Sequence, residues 1–279
     1  MAPFGCIPRR LSNLFSLKSR STSSSVGAPT SSNHTLQTSG SDARLYPLLD
    51  PERLGISSQH RDMFKGVNQA VMAYAASPTF DASHNYLHLQ RAVMLAHKIY
   101  QEHKDDHWVL DVNPVVMYIA CLVHEIGQPQ HHVRDQHDER DQEDIIRDFL
   151  KANGCRDPLV YSGAAFVAVR VSLECELEDQ QQIKADCNNY PALRIVQDAV
   201  RLDRLGAVGI GRCFAQGGLD KEQRDGAGQN GVELCYETFG KYVELMKTKM
   251  GRNLGKERLE FMEKFCEHWM EETNCAMVL

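Results

Sequence analysis

The sequence predicts an all-α domain behind a polar N-terminal segment, and three observations carry that expectation. From about Asp62 onward, apolar residues recur at the helical period. Asn-Pro, Ser-Pro and Gly signals fall where the periodic stretches end. No stretch alternates apolar and polar residues as a half-buried strand does, and no internal repeat stands out.

Phe64, Val67, Val71 and Ala75 make the first apolar stripe, closed by Ser77-Pro78. Asp81 or Ser83 can cap a second helix, which runs through Leu87, Ala92, Leu95 and Ile99 to about Lys104. Asn113 followed by Pro114 is an N-cap with proline at the first helical position. The helix it opens, Val115 to Ile126, is apolar almost all round and is expected to be the buried central one. Gly127 and Pro129 stop it, and residues 128–141 read as a polar, His- and Asp-rich loop. Further helices are expected at about 141–152, 157–173, 191–205, 231–250 and 256–273, with loops at Gly217-Gly218 and at 225–231. Residues 60–275 thus form one helical domain of about 210 residues, inside the usual domain range.

Composition narrows the class. The 279 residues are 42% hydrophobic and 24% charged, an ordinary globular balance. A net charge of -6 and the lack of a basic stripe with interleaved aromatics argue against nucleic acid and anionic membranes as partners. No apolar run approaches the roughly 18 to 20 residues of a membrane span. The nine cysteines are scattered without a CxxC pair, and no secretory signal precedes them, so reduced thiols in a cytoplasmic protein are expected. Residues 1–45 read as a disordered, Ser/Thr-rich basic tail. The first 41 residues hold no acid and carry Arg9, Arg10, Lys18 and Arg20, which also fits a mitochondrial transit peptide. Cys275 stands fifth from the end, not fourth, so prenylation is not expected.

Four groups of residues could carry chemistry. His124-Glu125 closes the most apolar helix, where an imidazole and a carboxylate must be paired, hydrogen-bonded or metal-bound. The alternative is a capping histidine beside a surface glutamate. His84 and His88 are one turn apart on one helix face, with His88 on the inward side; an inward histidine can equally be a satisfied core residue. Asp198 and Asp203 lie in a strongly apolar helix and need partners, which Arg201 or Arg204 could supply. His131, His132 and His137 crowd the polar loop, as substrate contacts or as a solvated charged loop.

Together the stretches Asp81-Ala-Ser-His-Asn-Tyr-Leu-His88-Leu-Gln-Arg91, Ala120-Cys-Leu-Val-His-Glu-Ile126, Ile195-Val-Gln-Asp-Ala-Val-Arg-Leu-Asp-Arg-Leu-Gly-Ala-Val-Gly-Ile210 and Met246 to Glu267 resemble the HD superfamily of metal-dependent phosphohydrolases. The resemblance is to its small stand-alone hydrolases, and it runs from Asp81 to about Glu272. It implies a helical bundle with a metal site in its core. It implies one divalent ion (Mn, Fe, Ni or Mg) held by His88, His124, Glu125 and Asp198, with His84, Arg91 and Glu125 in catalytic roles toward a small phosphorylated metabolite or nucleotide. Three positions depart from the pattern. Glu125 replaces the Asp of the His-Asp pair, Gln128 replaces a carboxylate that could exchange a proton, and Val200 replaces the second Asp of the later motif. Two other readings follow from those departures: a degenerate HD domain kept as a binding module, or an HD domain turned to non-phosphate hydrolysis or hydration.

Overall fold

The computed structural model describes residues 47–77, 85–128, 140–219 and 239–276, with only the backbone at 216–219. The expectations that fall on the N-terminal segment, Asp81, Ser83, His84, His131, His132, His137 and residues 225–231 lie outside the described residues. The chain separates into Met1–Asp42 and Ala43–Leu279, and all described residues belong to the second unit.

Those residues are helical, with no strand among them. The helices are α1 (Ser58–Ala75), α2 (Tyr86–Glu102), α3 (Pro114–Val123), α4 (Gln142–Ala152), α5 (Pro158–Ala168), α6 (Leu173–Glu178), α7 (Gln180–Asn189), α8 (Ala192–Leu202), α9 (Gly206–Leu219) and α10 (Lys249–Glu272), with a helical run at 239–244. None is long and apolar enough to cross a membrane.

Helix α3 is the centre. Asn113 Oδ1 accepts from the N–H groups of Val115 and Val116, and every residue from Val115 to Val123 is buried. Helices α1, α2, α5 and α8 pack around it, α4 covers α5, and α10 lies against α8 and α9. Helix α1 turns its expected stripe inward through Phe64, Val67, Val71 and Ala75. The cap of α2 is Asn85, whose Oδ1 accepts from His88 N–H. This cap orients the first turn of α2 so that His88 enters the core.

The structure redraws several expected elements. Helix α3 ends at Val123, and residues 124–127 form a tight turn instead of a last helical turn. Gly127 ends that turn at φ 72, a left-handed conformation that side chains with a Cβ rarely adopt, and a Cβ there would meet Ile145 Cγ2 at 2.9 Å. The helix expected at 157–173 stops at Ala168. Two short helices, α6 and α7, follow because Ser172 and Asp179 each cap a new start through Cys175 N–H and Gln182 N–H. Gly217-Gly218 lies within the helical backbone of α9, not in a loop. The stretch expected as one helix over 231–250 is interrupted at 245–248, and α10 starts at Lys249, ahead of the expected 256. Thr248 supplies that start, its Oγ1 accepting from Gly251 N–H at 2.9 Å.

Candidate metal centre

His88 from α2 and His124-Glu125 from the turn after α3 meet where these helices pack near the end of α8. All three are buried, and one donor atom from each lies within 4.8 Å of the others. His88 Nε2 and His124 Nε2 are 3.1 Å apart. Glu125 Oε1 stands 3.6 Å from the first and 3.3 Å from the second.

The hydrogen bonds behind the rings fix their tautomers. His124 Nδ1 lies 2.9 Å from the carbonyl of Cys121, which can only accept, so Nδ1 carries the proton. His88 Nδ1 lies 2.7 Å from Asp203 Oδ2 and donates to it. Burial first, and then the Arg212 guanidinium, push the His88 imidazole below its usual pKa, so the ring is neutral near pH 7. Nε2 of each ring therefore turns toward the other, with a carboxylate oxygen beside both. Three such atoms converging in a buried space are what a shared proton or a cation would join.

The spacing suits such a cation. Donors held about 2.1 Å from one ion and roughly 90° to 110° apart lie about 3.0 to 3.4 Å from one another, close to the separations seen here. Neutral imidazoles with a carboxylate are a donor set that first-row divalent metals accept. The extra methylene of Glu125 does not keep its carboxylate from the histidines.

Behind His88 stands Asp203, at the C-terminal end of α8. Arg91 grips it through Nε to Oδ1 at 2.5 Å and Nη2 to Oδ2 at 3.1 Å, and Arg212 of α9 donates Nη1 to Oδ2 at 2.7 Å. Against the upward push of its burial, the bonds from His88 and Arg91 hold the Asp203 carboxyl down at about 2. Its partners are thus His88, Arg91 and Arg212, not the neighbouring Arg201 or Arg204 that the sequence offered. A carboxylate on the far nitrogen of a ligand histidine is the usual way of fixing such a ring.

Asp198, expected among the metal ligands, is not in this group. Its carboxylate accepts from Lys247 N–H at 2.8 and 3.1 Å and from Thr248 N–H at 2.7 Å, at the start of α10. Five residues separate it from Asp203, about 140° around a helix, so the two look toward different neighbours. Val200 lies one turn before Asp203, on the same face, and adds no donor. Arg91, expected at phosphate, has two of its nitrogens on Asp203. Gln128 and Gln142 both donate from Nε2 to the carbonyl of His124 at 3.1 Å, and Gln142 also donates to that of Ile126 at 3.0 Å. They pin the turn that presents His124 and Glu125. Arg212 was missed by sequence reasoning; it belongs to the next helix and to no spacing pattern with His88.

The central buried helix and the bundle around it, with the His88–His124–Glu125 group buried inside, are the arrangement that the resemblance to HD-type domains implies. No protein-family profile matches the chain. Among curated proteins it is similar to the uncharacterised protein YpgQ of Bacillus subtilis, with 25% identity over 188 residues, 66% of this chain and 82% of that protein. The crystal structure of YpgQ in complex with ADP superposes with a TM-score of 0.52 at 20% identity, over 75% of this chain and 98% of that one. An HD-superfamily hydrolase from Bacillus thuringiensis gives 0.52 at 21% identity, over 78% and 100%. The chain therefore has the HD-superfamily fold.

Proposed function

We propose that this protein is a metal-dependent hydrolase acting on a small phosphorylated metabolite or nucleotide. The observation that carries the proposal is the trio of buried acceptors, His88 Nε2, His124 Nε2 and Glu125 Oε1, spaced as donors around one divalent ion. Support for the phosphate comes from YpgQ, a relative of like fold that binds ADP. A divalent ion held there would supply Lewis acidity to a phosphoryl oxygen and acidify a water. The chain's own part is to turn Nε2 of both histidines forward, through Asp203 behind His88 and the Cys121 carbonyl behind His124. It also shields the donors from bulk water and keeps Glu125 beside them on the pinned turn.

One observation favours a second reading, a domain that binds metal and a phosphorylated ligand without turning it over. Gln128, where relatives of this kind carry a carboxylate, uses its amide on the His124 carbonyl and has no proton to exchange.

The test is elemental analysis of the purified full chain beside His124→Ala, followed by a screen of phosphate esters and nucleotides. We expect about one transition metal per chain, its loss in the variant, and release of phosphate or pyrophosphate that chelation abolishes. Metal without turnover across the screen selects the second reading. No metal in the wild type, even after incubation with Mn²⁺ or Ni²⁺, refutes both.

A further inference from the structure

Arg212 has a nitrogen to spare where nitrogens are rarely spared. The side chain is 9% exposed, and Nη1 is committed, 2.7 Å from Asp203 Oδ2 and 3.0 Å from His88 Nδ1. Its other terminal nitrogen, Nη2, is buried with no hydrogen-bond partner among the described residues. Leaving a charged donor unsatisfied in the interior is costly, and native proteins rarely do so without a use for it. The charges around it are also unbalanced. Arg91 and Arg204 both act on Arg212, against the carboxylates of Asp203 and Glu125. Burial, and then Arg204, draw its guanidinium down to about 10, so it remains charged at neutral pH. A divalent ion at the histidines would widen the positive surplus, and an anion is what neutralises it.

We propose that Arg212 is the anion-holding residue of this site: Asp203 keeps Nη1, and Nη2 takes an oxygen of a phosphoryl group bound beside His88, His124 and Glu125. The proposal rests on reading the site as a metal centre for a phosphorylated ligand, and it adds the side chain that selects the phosphoryl anion. Two donors on one rigid guanidinium let Arg212 serve carboxylate and phosphate together, which a lysine's single ammonium does not reproduce. Arg212 thereby links the ligand to the same carboxylate that orients His88.

The experiment titrates inorganic phosphate into the metal-loaded full chain, freed of excess metal, by calorimetry, for wild type, Arg212→Lys, Arg212→Gln and Arg91→Lys. Metal content and Tm are measured on each. Wild type is expected to bind phosphate, and Arg212→Lys to raise the Kd by roughly tenfold or more, with metal retained. Arg212→Gln covers the case in which lysine disturbs the fold, and either folded variant decides. Arg91→Lys is expected to change the Kd less. Equal binding by wild type and a folded Arg212 variant, or no phosphate binding by wild type, overturns the proposal. Should wild type hydrolyse no phosphate ester while its phosphate binding still falls with Arg212, the hydrolase reading fails and the role of Arg212 stands.

Discussion

His88 shows how much one side chain depends on what lies behind it. Its Nε2 faces His124 and Glu125 only because Nδ1 is tied to Asp203, itself held by Arg91 and Arg212. Asp203→Asn keeps an acceptor for Nδ1 but removes the charge that neutralises two guanidiniums. Removing one partner of a buried ion pair typically costs about 3–5 kcal/mol, and loss of an outer partner of a ligand histidine typically weakens metal binding roughly 10- to 100-fold. Both losses are expected in Asp203→Asn, read as a lower Tm and a weaker Mn²⁺ titration; unchanged metal affinity in a folded variant would show that Asp203 is only structural. Of this site, the sequence singled out His88, His124 and Glu125 as candidates, since each is a polar residue in an apolar context. It could not rank Asp198 against Asp203. Both sit in the same apolar helix, and only the packing decides which one meets His88 and which meets another helix.

At the scale of elements, Asp198 joins two helices. Its carboxylate takes the Lys247 and Thr248 N–H groups where α10 begins, and Gly251 is glycine because a Cβ would overlap that carboxylate. Asp198→Asn is therefore expected to lower stability by about 1–3 kcal/mol while metal content stays at the wild-type level, by denaturant melts and elemental analysis. Metal loss in a folded variant would instead return Asp198 to the ligand set. A second junction, Arg201 of α8 with Glu176 of α6 and Lys247, predicts a pH dependence. Both side chains of the Arg201–Glu176 pair are almost wholly buried. Although burial pushes the Glu176 carboxyl up, Arg201 and Lys247 prevail and hold its pKa below the ordinary 4.5. Its contribution is thus full above the unfolded value and lost as pH falls through the folded one. The gap in Tm between wild type and Glu176→Gln should be constant near neutrality and close below about pH 4.5; a gap that widens on acidification contradicts the pairing. The core elements α1, α2 and α3 were legible because their stripes are long and bounded by Pro, Gly and Asn. Helices α6 and α7 were not, since they are short and polar and owe their starts to single capping side chains. Gly217-Gly218 misled because glycine weakens a helix without forbidding it.

Across the whole domain, the candidate metal group exists only when distant parts of the chain are folded together: α2 brings His88, the turn after α3 brings His124 and Glu125, and the end of α8 brings Asp203. An unfolded chain cannot hold those donors at ion-binding spacing. A divalent ion held there would bind the native state in preference, and its binding energy would appear as added stability. At a free concentration about 100 times the Kd, the gain is about 2.7 kcal/mol. For a domain of this size each kcal/mol moves Tm by roughly 2–4 °C, so Mn²⁺ or Ni²⁺ added to chelator-stripped protein should raise Tm by roughly 5–10 °C. His124→Ala should show little of that rise, because one imidazole and a carboxylate keep neither the donor number nor the enclosure. Differential scanning fluorimetry of the two proteins, stripped and reloaded, decides the matter. An equal shift in both would mean that the ion sits elsewhere, and the convergence of His88, His124 and Glu125 would have to be explained by a shared proton instead of a metal.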